Sequence, residues 1–170
     1  MLVRPDAAHL AAWRSLLETH AAVTELLERE LVDERGLPLS RYDVLLNLAE
    51  APEGRLRMEE LAQSVLLSKS GLSRLVDRME EAGLVRREQC SSDRRGRFAV
   101  LTDQGRSALR RAAPVHLRGI QQHFARHLDQ DEARVLTDAL TRIRDAARGR
   151  GGLERGSPSM DGAVSRSLGR

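Results

Sequence analysis

The stretch from Met58 to Gly105, MEELAQSVLLSKSGLSRLVDRMEEAGLVRREQCSSDRRGRFAVLTDQG, constrains the fold more than any other part of the chain. Met58 to Val65 has the apolar spacing of a short helix. Ser68 is placed to cap a second helix that runs to Ala82, and Gly83 supplies a left-handed stop. Leu72, Leu75, Val76 and Met79 recur at helical spacing and form the core side of that second helix. Leu84 to Cys90 and Arg97 to Leu101 read as two strands around the turn-forming segment SSDRRG, and Thr102 caps a further helix. Two helices joined by a tight turn and followed by a two-stranded wing make a winged helix-turn-helix.

The remaining sequence is helical in pattern. Residues 7 to 34 carry Leu10, Trp13, Leu17, His20, Thr24, Leu27 and Leu31 at alternating spacings of three and four, and Leu16, Val23 and Leu26 widen the stripe. So broad an apolar band exceeds what a small winged unit can cover, so part of it is expected to meet a second chain. Gly36 and Pro38 end this helix, and Ser40 is the expected cap of the next, Arg41 to Ala51, with Val44, Leu45 and Leu48 facing inward. Pro114 is expected to interrupt or kink the helix after Thr102. Leu117, Ile120, Phe124 and Leu128, then Leu136, Leu140, Ile143 and Ala147, continue the helical spacing.

The expected fold is mainly α with a small β-wing, in a chain of 170 residues that forms one folding unit. Its expected parts are a long N-terminal helix at 1–36, the winged unit at 37–105, further helices at 106–148 and a disordered tail at 149–170. The single Cys excludes an intrachain disulfide, and no segment approaches the roughly 18 uninterrupted apolar residues of a membrane span. The expectation is a soluble cytoplasmic protein with no membrane partner. No nucleophile-base set, Gly-rich phosphate loop or closed metal site emerges, which argues against an enzyme and against a bound cofactor.

Net charge is only +3, but its placement is informative. Residues 1 to 54 carry 5 basic and 10 acidic side chains, whereas residues 55 to 97 carry 10 basic and 7 acidic. The positive field therefore sits on the winged unit. Lys69 is the only Lys, and Arg abundance alone also follows from a genome rich in G and C; the clustering in RREQCSSDRRGR carries more weight.

On the capped helix, acidic groups crowd the C-terminal half. Ser68, Lys69, Ser70, Ser73 and Arg74 fill the N-terminal half, with Arg78 on a flank. Only the N-terminal half can approach phosphates and base edges without repulsion, and its dipole also favours an anion. Small hydroxyls permit close approach of the backbone, while Lys69 and Arg74 reach purine acceptors or phosphate. In the turn, Arg94, Arg95 and Arg97 extend beyond the body of the domain, a placement suited to a narrow minor groove. Asp93 fixes the shape of that loop by pairing with a neighbouring Arg or capping the turn.

LLSKSGLSRLVDRMEEAGLVRR followed by SSDRRGRFAVLTDQG resembles the recognition helix and wing of the MarR family of bacterial transcriptional regulators. The wing pattern of that family, Asp-x-Arg followed by apolar residues and Leu-Thr-x-x-Gly, is matched by Asp93, Arg95, Val100, Leu101, Thr102 and Gly105, and the flanking helices extend the resemblance from about Leu10 to Ala147. The resemblance implies a triangular homodimer whose N- and C-terminal helices form the base and whose winged units read a pseudo-palindrome in double-stranded DNA. It places Arg95 in the minor groove and Ser68, Lys69, Ser70, Ser73 and Arg74 on the groove-facing helix. Gly71 stands where many relatives carry Thr or another side chain, so no base contact is carried over there. The resemblance further implies a repressor relieved by a small phenolic or other anionic effector, for which Trp13 and His20 are the candidate pocket residues.

Three smaller readings stand beside this one. Cys90, beside basic residues, is a candidate redox thiol, although peroxide-sensing relatives carry their Cys near the start of the first helix and this chain has none there. Among His116, His123 and His127, the last two are four residues apart, as a zinc pair on one helical face requires, but no Cys or His partner is evident nearby. The alternative from another functional class is a winged unit that binds a partner protein and has little specific affinity for DNA.

Overall fold

The computed structural model describes residues 4–149 apart from 66, 67, 91 and 92, and leaves the side chains of Lys69, Cys90, Asp93, Arg94 and Arg95 outside the description. The expected disordered tail lies, beyond Gly149, outside the described residues. The helices are α1 (Ala7–Arg35), α2 (Leu39–Glu50), α3 (Met58–Ser64), α4 (Lys69–Glu81), α5 (Asp103–His123) and α6 (Gln130–Gly149). The strands are β1 (Arg55–Arg57), β2 (Val85–Cys90) and β3 (Asp93–Leu101), in one antiparallel sheet of order β1-β3-β2. The chain divides into two compact units at Gly119 and Ile120.

In the first unit the predicted core positions are filled as the periodicity requires. Val44, Leu45 and Leu48 of α2 and Leu72, Leu75, Val76 and Met79 of α4 are buried together with Leu31, Leu61, Val85, Ala99 and Val115. Gly36, at φ +62°, closes α1 by donating to the carbonyls of Leu31 and Val32. The next helix starts earlier than expected: Pro38, with φ −57°, is its N-cap, and Ser40 lies inside the first turn. The fixed proline dihedral sets the entry, and the Glu28 carboxylate of α1 takes the Leu39 N–H that a capping serine would otherwise have left unsatisfied.

The Leu-Thr-x-x-Gly sequence has a steric explanation. Thr102 Oγ1 accepts from the Gly105 N–H at 3.0 Å, capping α5, and lies 2.7 Å from the Gly83 carbonyl, so the same hydroxyl ties α5 to the end of α4. A Cβ at residue 105 would lie 2.0 Å from the Leu84 carbonyl oxygen. Only glycine permits this approach of α5 to the chain entering β2.

Four further expectations are corrected. β3 begins at Asp93 rather than Arg97, because Cys90 pairs with Asp93 while Gln89 pairs with Arg97; Arg94, Arg95 and Gly96 occupy extra length between those pairs and belong to the strand, not to a turn. A third strand, β1, pairs Arg55, Leu56 and Arg57 with Val100, Ala99 and Phe98. α5 runs unbroken through Pro114, and the helical run that seemed to continue past Phe124 instead stops at His123. Asp129 restarts it as α6: its Oδ1 accepts from the Asp131 and Glu132 N–H groups at 2.9 and 2.8 Å, and its own N–H donates to Glu132 Oε2 at 2.9 Å. No helix among the described residues is long and apolar enough to cross a membrane.

Candidate nucleic-acid interface

Ser68 holds the start of α4, its Oγ accepting from the Gly71 N–H at 3.1 Å and lying 3.3 Å from the Ser70 hydroxyl. A Cβ on Gly71 would come within 3.1 Å of that same Oγ, so the missing side chain leaves the cap uncrowded. Ser70, Arg74 and Arg78 are exposed, and Ser73 is half-buried. Across the sheet Arg97 is exposed as well. Among the described residues, none of Arg74, Arg78 and Arg97 has a carboxylate partner. Arg74 stands in the N-terminal half of α4 and Arg78 in its last turn; long cations without an internal counter-ion leave their charge available to phosphate.

The C-terminal half of the same helix is arranged differently. Arg87 of β2 reaches under it: Nη1 is paired with Asp77 and lies 3.2 Å from Glu80, while Nη2 donates to the Ser73 carbonyl at 3.1 Å. The neighbouring Arg86 is on the other face of the sheet and pairs with Glu88. Both arginines of RREQC, counted by sequence among the cations of the DNA-reading region, are therefore paired with the protein's own carboxylates, Arg87 half-buried and Arg86 exposed. The periodicity of a strand could have hinted that Arg86 and Arg87 point oppositely, but not which of them meets α4.

The other candidates separate. Trp13 and His20 are exposed on α1, and neither lines the shallow cleft between Arg35, Leu37, Arg41 and Arg111. His116 packs against Tyr42 with ring centroids 4.4 Å apart and planes tilted by 41°, and its Nδ1 is buried with no hydrogen-bond partner among the described residues. Burial holds its pKa below the usual histidine value and pushes that of Tyr42 up to about 12. His123 ends α5 while His127 sits in a separate 3-10 turn, Ala125–His127, so the two do not share a helical face, and no group of three potential ligands able to hold a metal occurs among the described residues. The redox reading of Cys90 and the shaping role of Asp93 concern side chains outside the described residues.

A helix-turn-helix with a three-stranded wing and a basic, capped helix start is the architecture of a DNA-binding regulator. The MarR family pattern matches residues 35–96. AbsC, a MarR family transcriptional regulator from Streptomyces coelicolor, superposes with a TM-score of 0.79 at 40% identity, over 87% of this chain and 99% of that one. Sco3205, a MarR family regulator of the same organism whose structure was determined in complex with DNA, gives a TM-score of 0.79 at 37% identity, over 86% and 91% of the two chains. An uncharacterised helix-turn-helix regulator of Bacillus cereus is 31% identical over 117 residues, 69% of this chain and 76% of the other. The chain belongs to the MarR family of transcriptional regulators. Membership sets aside the reading of the winged unit as a protein-interaction module.

Proposed function

We propose that the chain is a repressor that binds a pseudo-palindromic DNA operator as a homodimer and is released by a small phenolic or anionic effector. In this reading residues 37–105 read the DNA, while 1–36 and 106–148 serve dimerisation. Ser68, Lys69, Ser70, Ser73, Arg74 and Arg78 address the major groove, and Arg94, Arg95 and Arg97 the minor groove, with Asp93 shaping the wing. Trp13 and His20, exposed on one chain, become walls of an effector site only when a second chain covers them.

The observation that carries the reading is the division of charge along α4. Its N-terminal half offers hydroxyls, backbone N–H groups and Arg74 without a carboxylate partner among the described residues, whereas the acidic groups Asp77 and Glu80 of its other half are engaged by Arg87. The purified protein, titrated with its own promoter region and with random DNA across a salt series, tests it. Operator binding should weaken steeply with salt, with half-sites roughly 34 to 36 Å apart. No preference for the promoter region over random DNA at physiological salt would sink the proposal.

A further inference from the structure

We infer that Arg87 is a positioning residue for DNA reading: from β2 it braces the recognition helix α4 and offsets part of the acidic charge at the end of that helix, without itself touching nucleic acid. The inference rests on the DNA-binding reading above. Its side chain is only 16% exposed, against 51% for Asp77 and 39% for Glu80. One guanidinium holds the Ser73 carbonyl, Asp77 and Glu80, and the Arg87 N–H donates to Glu80 Oε1 at 2.7 Å. These acceptors span residues 73 to 80, so the brace begins where the groove-facing half of α4 ends. A planar fork spreads its N–H donors over separate nitrogens and so reaches acceptors on different turns of α4; the three donors of an ammonium radiate from one point.

The sheet fixes which arginine takes this role. Arg87 lies two residues from Val85 and pairs in register with Ala99, both members of the central core cluster, and so shares their face of the sheet, whereas Arg86 pairs with Val100, which is buried outside that cluster on the opposite face. Two consequences follow for binding. The wing strand and the recognition helix move as one piece, so the arginines of the hairpin keep their distance from Arg74. The charge of Asp77 and Glu80, which opposes the phosphates alongside α4, is offset in part by the one guanidinium they share.

Two variants separate a brace from a phosphate contact. Arg87→Gln removes charge and fork together; Arg87→Lys keeps the charge but cannot hold all three acceptors. Both are measured for promoter binding across a salt series, for discrimination against random DNA, and, without DNA, for hydrogen exchange over residues 73–81. A brace predicts that each variant loses about tenfold in promoter affinity, in the range of residues sharing one charged network. The salt slope of the charge-keeping Arg87→Lys stays unchanged, and exchange in α4 of the free protein becomes about tenfold faster in both variants. A fall of about one in the salt slope for Arg87→Gln, with full binding retained by Arg87→Lys, would instead mark Arg87 as a phosphate contact and overturn the inference. Unchanged affinity and exchange in both variants would overturn it equally. Because exchange is read without DNA, loss of the brace and failure of the DNA-binding reading give different patterns: the second shows as a wild-type protein with no promoter preference, whatever its exchange.

Discussion

The two ends of α1 have opposite surroundings. Leu27 and Leu31, near its C-terminus, are buried, and Leu27 packs so closely on α5 that a Cβ on Gly119 would fall 2.5 Å from its Cδ2. Leu10, Trp13 and Leu17, on the same helix and at the same kind of spacing, are 44%, 57% and 50% exposed. One apolar stripe therefore serves two purposes, closing the core of its own chain at one end and lying open at the other. A stripe of this kind reports which face of a helix is covered; it does not report which molecule covers it.

The sharpest test of that contrast is Leu31→Ala, which should cost about 2–5 kcal/mol in chemical denaturation, because it opens a cavity in a closed core. The companion change at the open end, Trp13→Ala, should leave the secondary structure of the chain intact and weaken self-association by about 2 kcal/mol, read as the dissociation constant in sedimentation. Equal losses of folding stability at both positions would erase the distinction between the two ends. Arg74→Ala carries the contrast to α4, whose exposed start should be dispensable for folding: thermal melting should be unchanged while promoter binding falls by about 1–2 kcal/mol. A lower melting temperature would mean that Arg74 belongs to the packed part of the molecule.

The smallest effects concern groups inside the closed part. Burial, with the nearby Glu28 charge second, pushes the Asp43 carboxyl up from 3.8 to about 6. The native state therefore holds this proton where the unfolded chain has lost it, and its stability declines as pH rises from 3.8 through about 6. Asp43→Asn should gain roughly 1 kcal/mol at pH 7, after allowance for solvent screening, and nothing at pH 3. His116 acts in the reverse sense. Its folded pKa is depressed by burial, so the unfolded chain takes the proton first and stability falls as pH drops below 6.5. Urea midpoints of wild type and of the two variants Asp43→Asn and His116→Gln across this range resolve the opposing slopes.

Much of the fold could be read from local chemistry. Ser68, Gly36, Gly83 and Thr102 act where their residue types predict, because a cap or a left-handed stop depends only on a few neighbouring backbone groups. The Asp129 and Glu132 capping box was equally local, yet the apolar spacing running across it from Ile120 to Leu136 gave the appearance of one continuous helix. Ser40 was a plausible cap displaced by Pro38 and by the Glu28 carboxylate, twelve residues earlier in the chain. The short strand β1 carries too few residues to announce itself and exists because β3, more than forty residues later in sequence, provides its hydrogen bonds.

The candidate interface divides in the same way. Ser70, Ser73, Arg74 and Arg78 are identified by their place on a helix whose buried face is fixed by Leu72, Leu75, Val76 and Met79. Sequence alone determined the helix-turn-helix order, the caps at Ser68 and Thr102, the core face of α4 and the family, since each depends on spacing within a short segment. Tertiary structure alone decided that Arg87 is engaged on Asp77 and Glu80 while Arg97 remains exposed, that Arg94 and Arg95 lie within a strand, and that Gly105 must be glycine. Those outcomes depend on strand register and on the approach of groups distant in sequence, and a guanidinium carries the same charge in the sequence whether it faces solvent or a carboxylate.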